Sequence, residues 1–349
     1  MKVLPAVLAA TGTALALQLM SYKKSKDAVS IRVNSMKRVL MTDYGVDEKL
    51  AHLLAYIGEA TAEIQCILSN YVDHSDSYVG TQNASGDDQL KLDVSCDEAC
   101  FRALRACGLV RLAASEETPV ETDCGGADGT FAVGFDPLDG SSIIGANFSI
   151  GSIFGIWPLE VGKEATLIGR TGRQQVSSVV SMYGPRTTVC IALPSASAVV
   201  EFTLVNDRRA WEVSRKSIKI SPKGKIFAPG NLRASNDNVQ YEKLLNHWIS
   251  ERYTLRYTGG MVPDVYHIFV KEKGVFSNVS SEKAKAKLRL LYEVAPMGLI
   301  VETAGGLTTH ESQDISVLDI ELKYLDQRLG VCFGSADEVK LFKDFLFLQ

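Results

Sequence analysis

The sequence predicts an α/β protein, a large and mostly buried sheet with helices packed against it. Apolar residues Leu50, Leu53, Leu54, Ile57, Ile64, Ile67 and Leu68 recur at helical spacing after Asp47. Short β-rich runs separated by Gly, Pro and Asn dominate from Leu109 onward. The chain has 349 residues, 46% hydrophobic and 22% charged. That length suits roughly two domains of ~150 residues or one large unit, and the ordinary composition excludes disorder, collagen and coiled coil.

The first helix runs from Asp47 to near Asn70. Tyr71 to Asp88 is polar and holds Gly80 and Gly86, which predicts a loop before a short strand, Leu90 to Val94. A second helix covers about Asp97 to Cys107. Strands are predicted at Leu109 to Ala113, Phe131 to Phe135, Ser149 to Trp157, Thr188 to Leu193 and Glu201 to Val205. The Lys-, Gly- and Pro-rich stretch Arg215 to Gly230 marks a boundary between two domains, 45–215 and 216–349. Beyond it come helices near Tyr241 to Ser250 and Val265 to Lys273, a strand at Leu288 to Tyr292, and a last helix from Asp337. Ser335 and Glu338 read as the capping box of that last helix.

Val3 to Met20 is almost wholly apolar after Lys2, and Lys23, Lys24, Lys26, Arg32, Lys37 and Arg38 follow, with Asp27 the only acid among them. A signal-type run followed by a Ser-rich, basic stretch predicts a bipartite presequence, residues 1–44, outside the fold, with import into a plastid. The competing reading is a membrane-touching tail on a cytoplasmic enzyme. A formal net charge of -4 provides no basic field for nucleic acid. The seven cysteines lack the paired short spacings of a disulfide framework or zinc site, which fits a reducing compartment.

The densest chemical signal is Phe135-Asp136-Pro137-Leu138-Asp139-Gly140-Ser141-Ser142, read as a turn directly after an apolar strand. Asp136, Asp139 and the Leu138 carbonyl can converge there as the hard oxygen donors that Mg²⁺ requires. Gly140, Ser141 and Ser142 add backbone N–H groups and hydroxyls suited to a phosphate. Taken separately, Asp-Pro and Asp-Gly are more often plain turns. Glu116 and Glu117 also follow an apolar run, Asp93 ends Leu90-Lys91-Leu92, and Glu293 ends Leu288 to Tyr292, so acids stand repeatedly at predicted strand exits. Each alone would be a solvated surface group.

Together, Asp-Pro-Leu-Asp-Gly-Ser-Ser and the upstream Ser-Glu-Glu resemble the Mg²⁺-dependent, lithium-sensitive sugar phosphatases of the fructose-1,6-bisphosphatase class. Four further segments resemble the branch of that class that acts on sedoheptulose bisphosphate: Tyr183 to Thr188 (YGPRTT), Pro229 to Ala234 (PGNLRA), Tyr253 to Val265 (YTLRYTGGMVPDV) and Ala284 to Pro296 (AKAKLRLLYEVAP). The similarity runs from about Ala51 to the carboxyl end. It implies stacked α-β-α-β-α layers in two domains and hydrolysis of the 1-phosphate of sedoheptulose 1,7-bisphosphate with two or three Mg²⁺ ions.

By the same resemblance, Glu116, Asp136, Asp139, Glu293 and the Leu138 carbonyl match metal ligands. Glu117 and Asp93 match the acids that orient and deprotonate the attacking water. Ser141 and Ser142 match binders of the departing phosphate, Lys287 and Met261 residues around the sugar, and Arg256 and Tyr257 binders of the distal phosphate. The arginine of that last pair crosses from a neighbouring subunit in the class, which implies a homodimer.

Some positions depart from the fructose-specific pattern. Arg233 and Asn278 stand where those enzymes hold the distal phosphate with tyrosines, which favours a seven-carbon over a six-carbon sugar. Thr130-Phe131 replaces the Lys-Tyr of AMP-inhibited members. Asp76 to Asn83 has no cysteine where the plant plastid form carries a Cys-x4-Cys redox pair, so thioredoxin switching by that route is predicted absent.

Other chemistries find little support. Cys96 and Arg102 have cysteine-phosphatase spacing, but the acidic, Gly-free stretch between them reads as helix. The five histidines form no nucleophile–base arrangement, and neither a Gly-x-Ser-x-Gly elbow nor a Walker A loop occurs. The alternatives are a fructose-1,6-bisphosphatase or dual-specificity enzyme and, from another class, an inactive membrane-anchored binding protein. Against the last, every expected acid is present.

Overall fold

In the computed structural model, which describes residues 27–72, 78–82, 88–126, 129–160, 164–206 and 210–347, residues 27–44 form a helix, α1, that is part of the core. This corrects their assignment to a presequence outside the fold. Val33, Met36 and Leu40 are buried and Val29 packs beside them, a stripe at spacings of four, three and four residues. The basic and Ser-rich residues between them form the outer face, which hides the stripe from a compositional reading. Arg32 Nε donates to Glu59 at 2.6 Å, Ser35 Oγ accepts the Trp211 N–H at 3.0 Å, and the Tyr44 hydroxyl donates to the Lys216 carbonyl at 2.9 Å. The run Val3 to Met20 lies outside the described residues. Among the described residues no helix is long and apolar enough to cross a membrane.

Asp47 caps α2 (Glu48–Ser69), its carboxylate accepting from the N–H groups of Lys49 and Leu50. β1 (Tyr78–Gln82), inside the stretch predicted as a loop, pairs antiparallel with β2 (Asp88–Leu90), which starts at the end of that stretch. α3 (Lys91–Cys107) then begins six residues earlier than predicted, so Asp93 lies in a first helical turn and not at a strand exit. Leu90, Leu92 and Val94 alternate like a strand, but tertiary packing of Leu92, Cys96, Ala99, Cys100 and Ala103 on the helical period prevails.

β3 (Val110–Ser115), β4 (Thr122–Asp123), β5 (Phe131–Asp139), β6 (Ile150–Pro158), β7 (Ser177–Tyr183), β8 (Thr187–Leu193), β9 (Ala198–Val205) and β10 (Ala210–Arg215) form one sheet in the order β10-β9-β8-β7-β6-β5-β3-β4. Only β3 and β5 run parallel within it. β7 and β10 escaped the sequence reading. In β7 the polar Ser177, Ser178 and Ser181 are all buried, with Ser177 Oγ donating to Ala192 O at 2.7 Å and Ser181 Oγ 2.7 Å from Thr61 Oγ1.

β11 (Ile226–Gly230), inside the stretch predicted as the domain boundary, belongs to a second sheet. Then come α4 (Val239–Ser250), β12 (Thr254–Leu255), α5 (Met261–Lys271), β13 (Val275–Asn278), α6 (Ala295–Thr303), β14 (Leu307–His310), β15 (Val331–Gly334) and α7 (Ala336–Leu346). The second sheet has the order β12-β11-β13-β15-β14. Strand alternation builds the layers. Val133 and Phe135 meet α1, α2 and α3, whereas Ala132 and Ile153 meet α5 and α6. Phe276 and Phe333 face that same middle layer, and Val275 and Cys332 face α4 and α7. The result is α-β-α-β-α. Burying a side chain such as Phe276 contributes about 2 kcal/mol.

The predicted capping box is absent. Ser335 Oγ accepts from Gly274 N–H at 3.0 Å, and Glu338 accepts from Gly224 N–H at 3.2 Å and from the Tyr253 hydroxyl at 2.8 Å. Both side chains tie α7 to neighbouring segments instead.

Candidate active site

The Asp-Pro-Leu-Asp motif is not a turn but the bulged end of β5. Asp136 pairs with Ile153 and Asp139 with Gly151, three steps on one strand against two on the other. In a regular strand residues three apart point to opposite faces, and one extra residue puts them on the same face. Leu138 therefore joins Phe131, Val133 and Phe135 in the helix-side core, and Asp136 and Asp139 face the middle layer. Pro137 sits at the irregularity, where a missing N–H is tolerated, and its carbonyl accepts from Ser152 Oγ at 2.7 Å. The Leu138 N–H donates to Asp136 Oδ1 at 2.8 Å.

Glu293 arrives from the opposite side. Leu288 to Tyr292 is not a strand: Arg289 makes a single bridge to Arg328, and Leu290–Val294 is a wide π turn leading into α6. Pro296, at the start of α6, favours helix from there. A Cβ on Gly134 would lie 2.7 Å from Leu291 Cδ1, so the absence of a side chain on β5 admits the turn. Asp136, Asp139 and Glu293, only 4%, 8% and 5% exposed, each offer an oxygen within 4.8 Å of the others. Glu116 joins them because β3 and β5 are parallel and end at the same sheet edge; its N–H donates to Phe135 O at 3.1 Å and its carboxylate bonds to Asp136.

Burial, then the charges of Glu116, Asp139 and Glu293, push the Asp136 carboxyl far above its ordinary value. Glu293 is pushed up by burial and Glu116, with Arg289 opposing. Asp139 rises to about 7 through burial, although N–H groups of Val262 and Met261 bond to it. Val262 N donates at 2.6 Å, from the amino terminus of α5. Gathered carboxylates of this kind fit a hard divalent cation, which supplies the charge that burial denies them.

One basic group stands among them, and the sequence reading missed it. Arg289, buried, places Nη1 2.5 Å from Glu116 and Nε 3.0 Å from Asp326, and its N–H donates to Glu293 Oε2 at 2.6 Å. Its only signal in the sequence is an arginine four residues before a candidate ligand, which resembles any surface arginine.

Asp93 is buried on α3, and its charge, like that of Asp136, acts on the Cys96 thiol. Glu117 is half-buried beside Glu116. Gly140, at φ 92°, adopts a left-handed conformation that strains other residues, and it opens a short 3-10 helix, Ser141–Ala146. Ser141 is half-buried and Ser142 exposed. Met261 is buried at the start of α5. Asp264 accepts the N–H groups of Thr258 at 2.7 Å and Gly259 at 3.3 Å, which holds the Gly-Gly loop before that helix.

Next to this region Arg233, Lys283, Lys285, Lys287 and Arg328 line a cavity of about 610 Å³. Tyr257 lies within reach of the Arg233 charge, and Asn278 ends β13, half-buried. Arg256 does not line this cavity: Nη1 donates to Leu255 O at 2.8 Å and its charge acts on His267. The Cys96 thiol is buried in α3, which pushes its pKa far up, and Arg102 pairs with Glu63 at 2.7 Å, so neither forms a phosphate loop.

Family models of fructose-1-6-bisphosphatase match the chain, the amino-terminal domain over 38–216 and the carboxyl-terminal domain over 220–347. The chain is 46% identical over 303 residues to the chloroplastic sedoheptulose-1,7-bisphosphatase of Chlamydomonas reinhardtii, covering 86% of this chain and 74% of that protein. It is 36% identical over 302 residues to the class 1 fructose-1,6-bisphosphatase of Citrifermentans bemidjiense, covering 86% and 88%. A crystal structure from Toxoplasma gondii, provisionally described as a sedoheptulose-1,7-bisphosphatase, superposes with a TM-score of 0.82 at 38% identity, covering 89% of this chain and 98% of that one. The Leishmania major fructose-1,6-bisphosphatase in its holo form gives 0.80 at 28% identity, covering 89% and 98%.

Proposed function

The chain belongs to the fructose-1,6-bisphosphatase family, and from that premise we propose that it hydrolyses the 1-phosphate of sedoheptulose 1,7-bisphosphate to sedoheptulose 7-phosphate and phosphate. One observation carries the choice of sugar: identity is 45% to 47% with proteins named for sedoheptulose bisphosphate against 33% to 36% with those named for fructose bisphosphate. The fructose-specific or dual-specificity reading rests on the family match itself.

In this reading Glu116, Asp136, Asp139, Glu293 and the Leu138 carbonyl hold Mg²⁺, two or three ions per site. When bound, such ions neutralise the phosphate, polarise phosphorus and acidify a water. Glu117 and Asp93 orient the attacking water and accept its proton. Gly140, Ser141 and Ser142 hold the departing phosphate through N–H and hydroxyl donors. Met261 and Lys287 contact the sugar, and Arg233 and Tyr257 receive the distal phosphate. Arg256, which is not among the residues lining the cavity of its own chain, serves the distal phosphate of a partner in a homodimer. We divide the chain into two domains near residue 215, with α1 part of the first; Glu116, Asp136 and Asp139 then belong to the first, and Glu293 and the distal cations to the second.

We place the enzyme in the Calvin cycle and the plastid stroma on the chloroplastic names of its relatives. Any presequence removed on import ends before α1, whose residues are core. Thr130 and Phe131 speak against AMP control, and the cysteine-free Asp76 to Asn83, which lies partly outside the described residues, against redox switching by that loop.

Phosphate-release assays with both bisphosphates test this directly. Mg²⁺-dependent release, faster from the seven-carbon substrate and abolished by chelation, is expected. Greater efficiency on the fructose substrate would assign the second reading, and no release from either would leave the inactive binding protein. Arg233→Tyr is expected to lower the preference for the seven-carbon sugar about 10-fold, the effect of one lost charged contact of ~1.4 kcal/mol. An unchanged ratio of kcat/KM values would clear Arg233 of that role.

A further inference from the structure

We propose that Asp97 is a positioning residue for the hydrolysis: from α3 it anchors the Ser115–Thr118 turn that carries Glu116 and Glu117. The inference rests on the phosphatase reading above and adds a residue to it. Asp97 is buried and follows Asp93 by four residues on α3, so the two lie on one side of the helix. The charges of Asp93 and Asp136 both act on the Cys96 thiol on this side of α3, and Asp97 meets the Ser115–Thr118 turn.

Asp97 Oδ2 accepts from Thr118 Oγ1 at 3.0 Å, and the Ser115 hydroxyl also bonds to this carboxylate. Ser115 Oγ in turn accepts the Thr118 N–H at 2.8 Å, and the Ser115 N–H donates to Thr118 O at 3.1 Å. The turn is thus closed on itself across Glu116 and Glu117. The Glu116 N–H also donates to Phe135 O on β5, so one loop is fastened both to the strand of Asp136 and to the helix of Asp93.

The water-activating pair Glu117 and Asp93 comes from two separate elements, and Asp97 ties those elements together. A folding role does not account for it. A buried carboxylate bonded by hydroxyls, with Oδ1 lacking a hydrogen-bond partner among the described residues, costs stability relative to an apolar residue. A reactive geometry accounts for it better, because misplacement by about 1 Å can lower a rate about 100-fold.

Asp97→Ala and Thr118→Val cut the same contact from its two sides. Steady-state kinetics on sedoheptulose 1,7-bisphosphate with saturating Mg²⁺ should show kcat lowered roughly 10- to 100-fold in each, with KM within about 2-fold. The pH profile of kcat should shift in both, because the group accepting the proton is displaced. Asp97→Asn, which keeps an acceptor for Thr118, should restore most of the rate, and the double variant should be no worse than the weaker single one.

Wild-type kcat in Thr118→Val would overturn the proposal, as would a loss in Asp97→Ala that Asp97→Asn does not relieve. Thr118→Val decides the matter if Asp97→Ala does not fold. A wild-type protein that releases no phosphate defeats the phosphatase reading instead, whereas an active wild type with unchanged variants defeats only the role of Asp97.

Discussion

Asp136→Asn should lower kcat for phosphate release about 1000-fold, equivalent to ~4 kcal/mol at the transition state. Asparagine matches aspartate in shape and keeps one oxygen to accept the Leu138 N–H, so the bulge in β5 survives. What disappears is the carboxylate that a bound cation would hold ionised among Glu116, Asp139 and Glu293. In the metal-free protein burial and the neighbouring acids already favour the neutral form of Asp136, which the amide resembles, so the variant should melt no lower than wild type in chelator while losing turnover. Measuring kcat at saturating substrate and Mg²⁺ together with the two melting curves checks both halves. Turnover near that of wild type would remove Asp136 from the metal site.

The second large effect is on stability. Asp139 is held at about 7 in the folded chain against 3.8 ordinarily, and Asp136 and Glu293 are displaced in the same direction. Groups with raised folded-state pKa values bind protons more tightly in the folded protein. The stability they confer is complete below pH ~4 and is lost as pH rises through ~7. Asp139 alone accounts for roughly 4 kcal/mol over that window. Metal-free protein should therefore melt lower at pH 8 than at pH 5.5, by on the order of 5–10 °C. Mg²⁺ should restore more at pH 8, where it binds ionised ligands, than at pH 5.5. Thermal melts at both pH values with and without Mg²⁺ decide this. A melting temperature in chelator that climbs from pH 5.5 to 8 would mean the cluster is not the dominant titrating unit.

Some of this was readable from local pattern. α2 combines a clear apolar period with Asp47 at its cap, and it falls within a residue of its predicted limits. β3, β5, β6, β8 and β9 lie where apolar runs are bounded by Gly, Pro and Asn, because a buried strand needs little beyond such a run. Other segments were locally ambiguous. Lys287 to Tyr292 alternates like a strand, yet Arg289 turns inward to Glu116 and the chain widens into a π turn before α6. The interior stripe of α1 is masked by the basic residues of its outer face. Ser335 and Glu338 have the spacing of a cap, and contacts from distant segments claim both side chains.

Local sequence was enough to show which acids the chain carries, that two of them share one Pro-containing motif followed by phosphate-type donors, and that helices and strands of these kinds fill its length. Packing of the layers is what brings Glu116, Asp136, Asp139 and Glu293 to face one another and sets Arg289 against Glu116 and Glu293. The reason is range. Hydrophobic period and turn chemistry act over a few residues, whereas the meeting of β3, β5 and the π turn depends on a parallel pairing, an extra residue in β5 and a glycine opposite Leu291. Their joint effect exists only once the layers have packed.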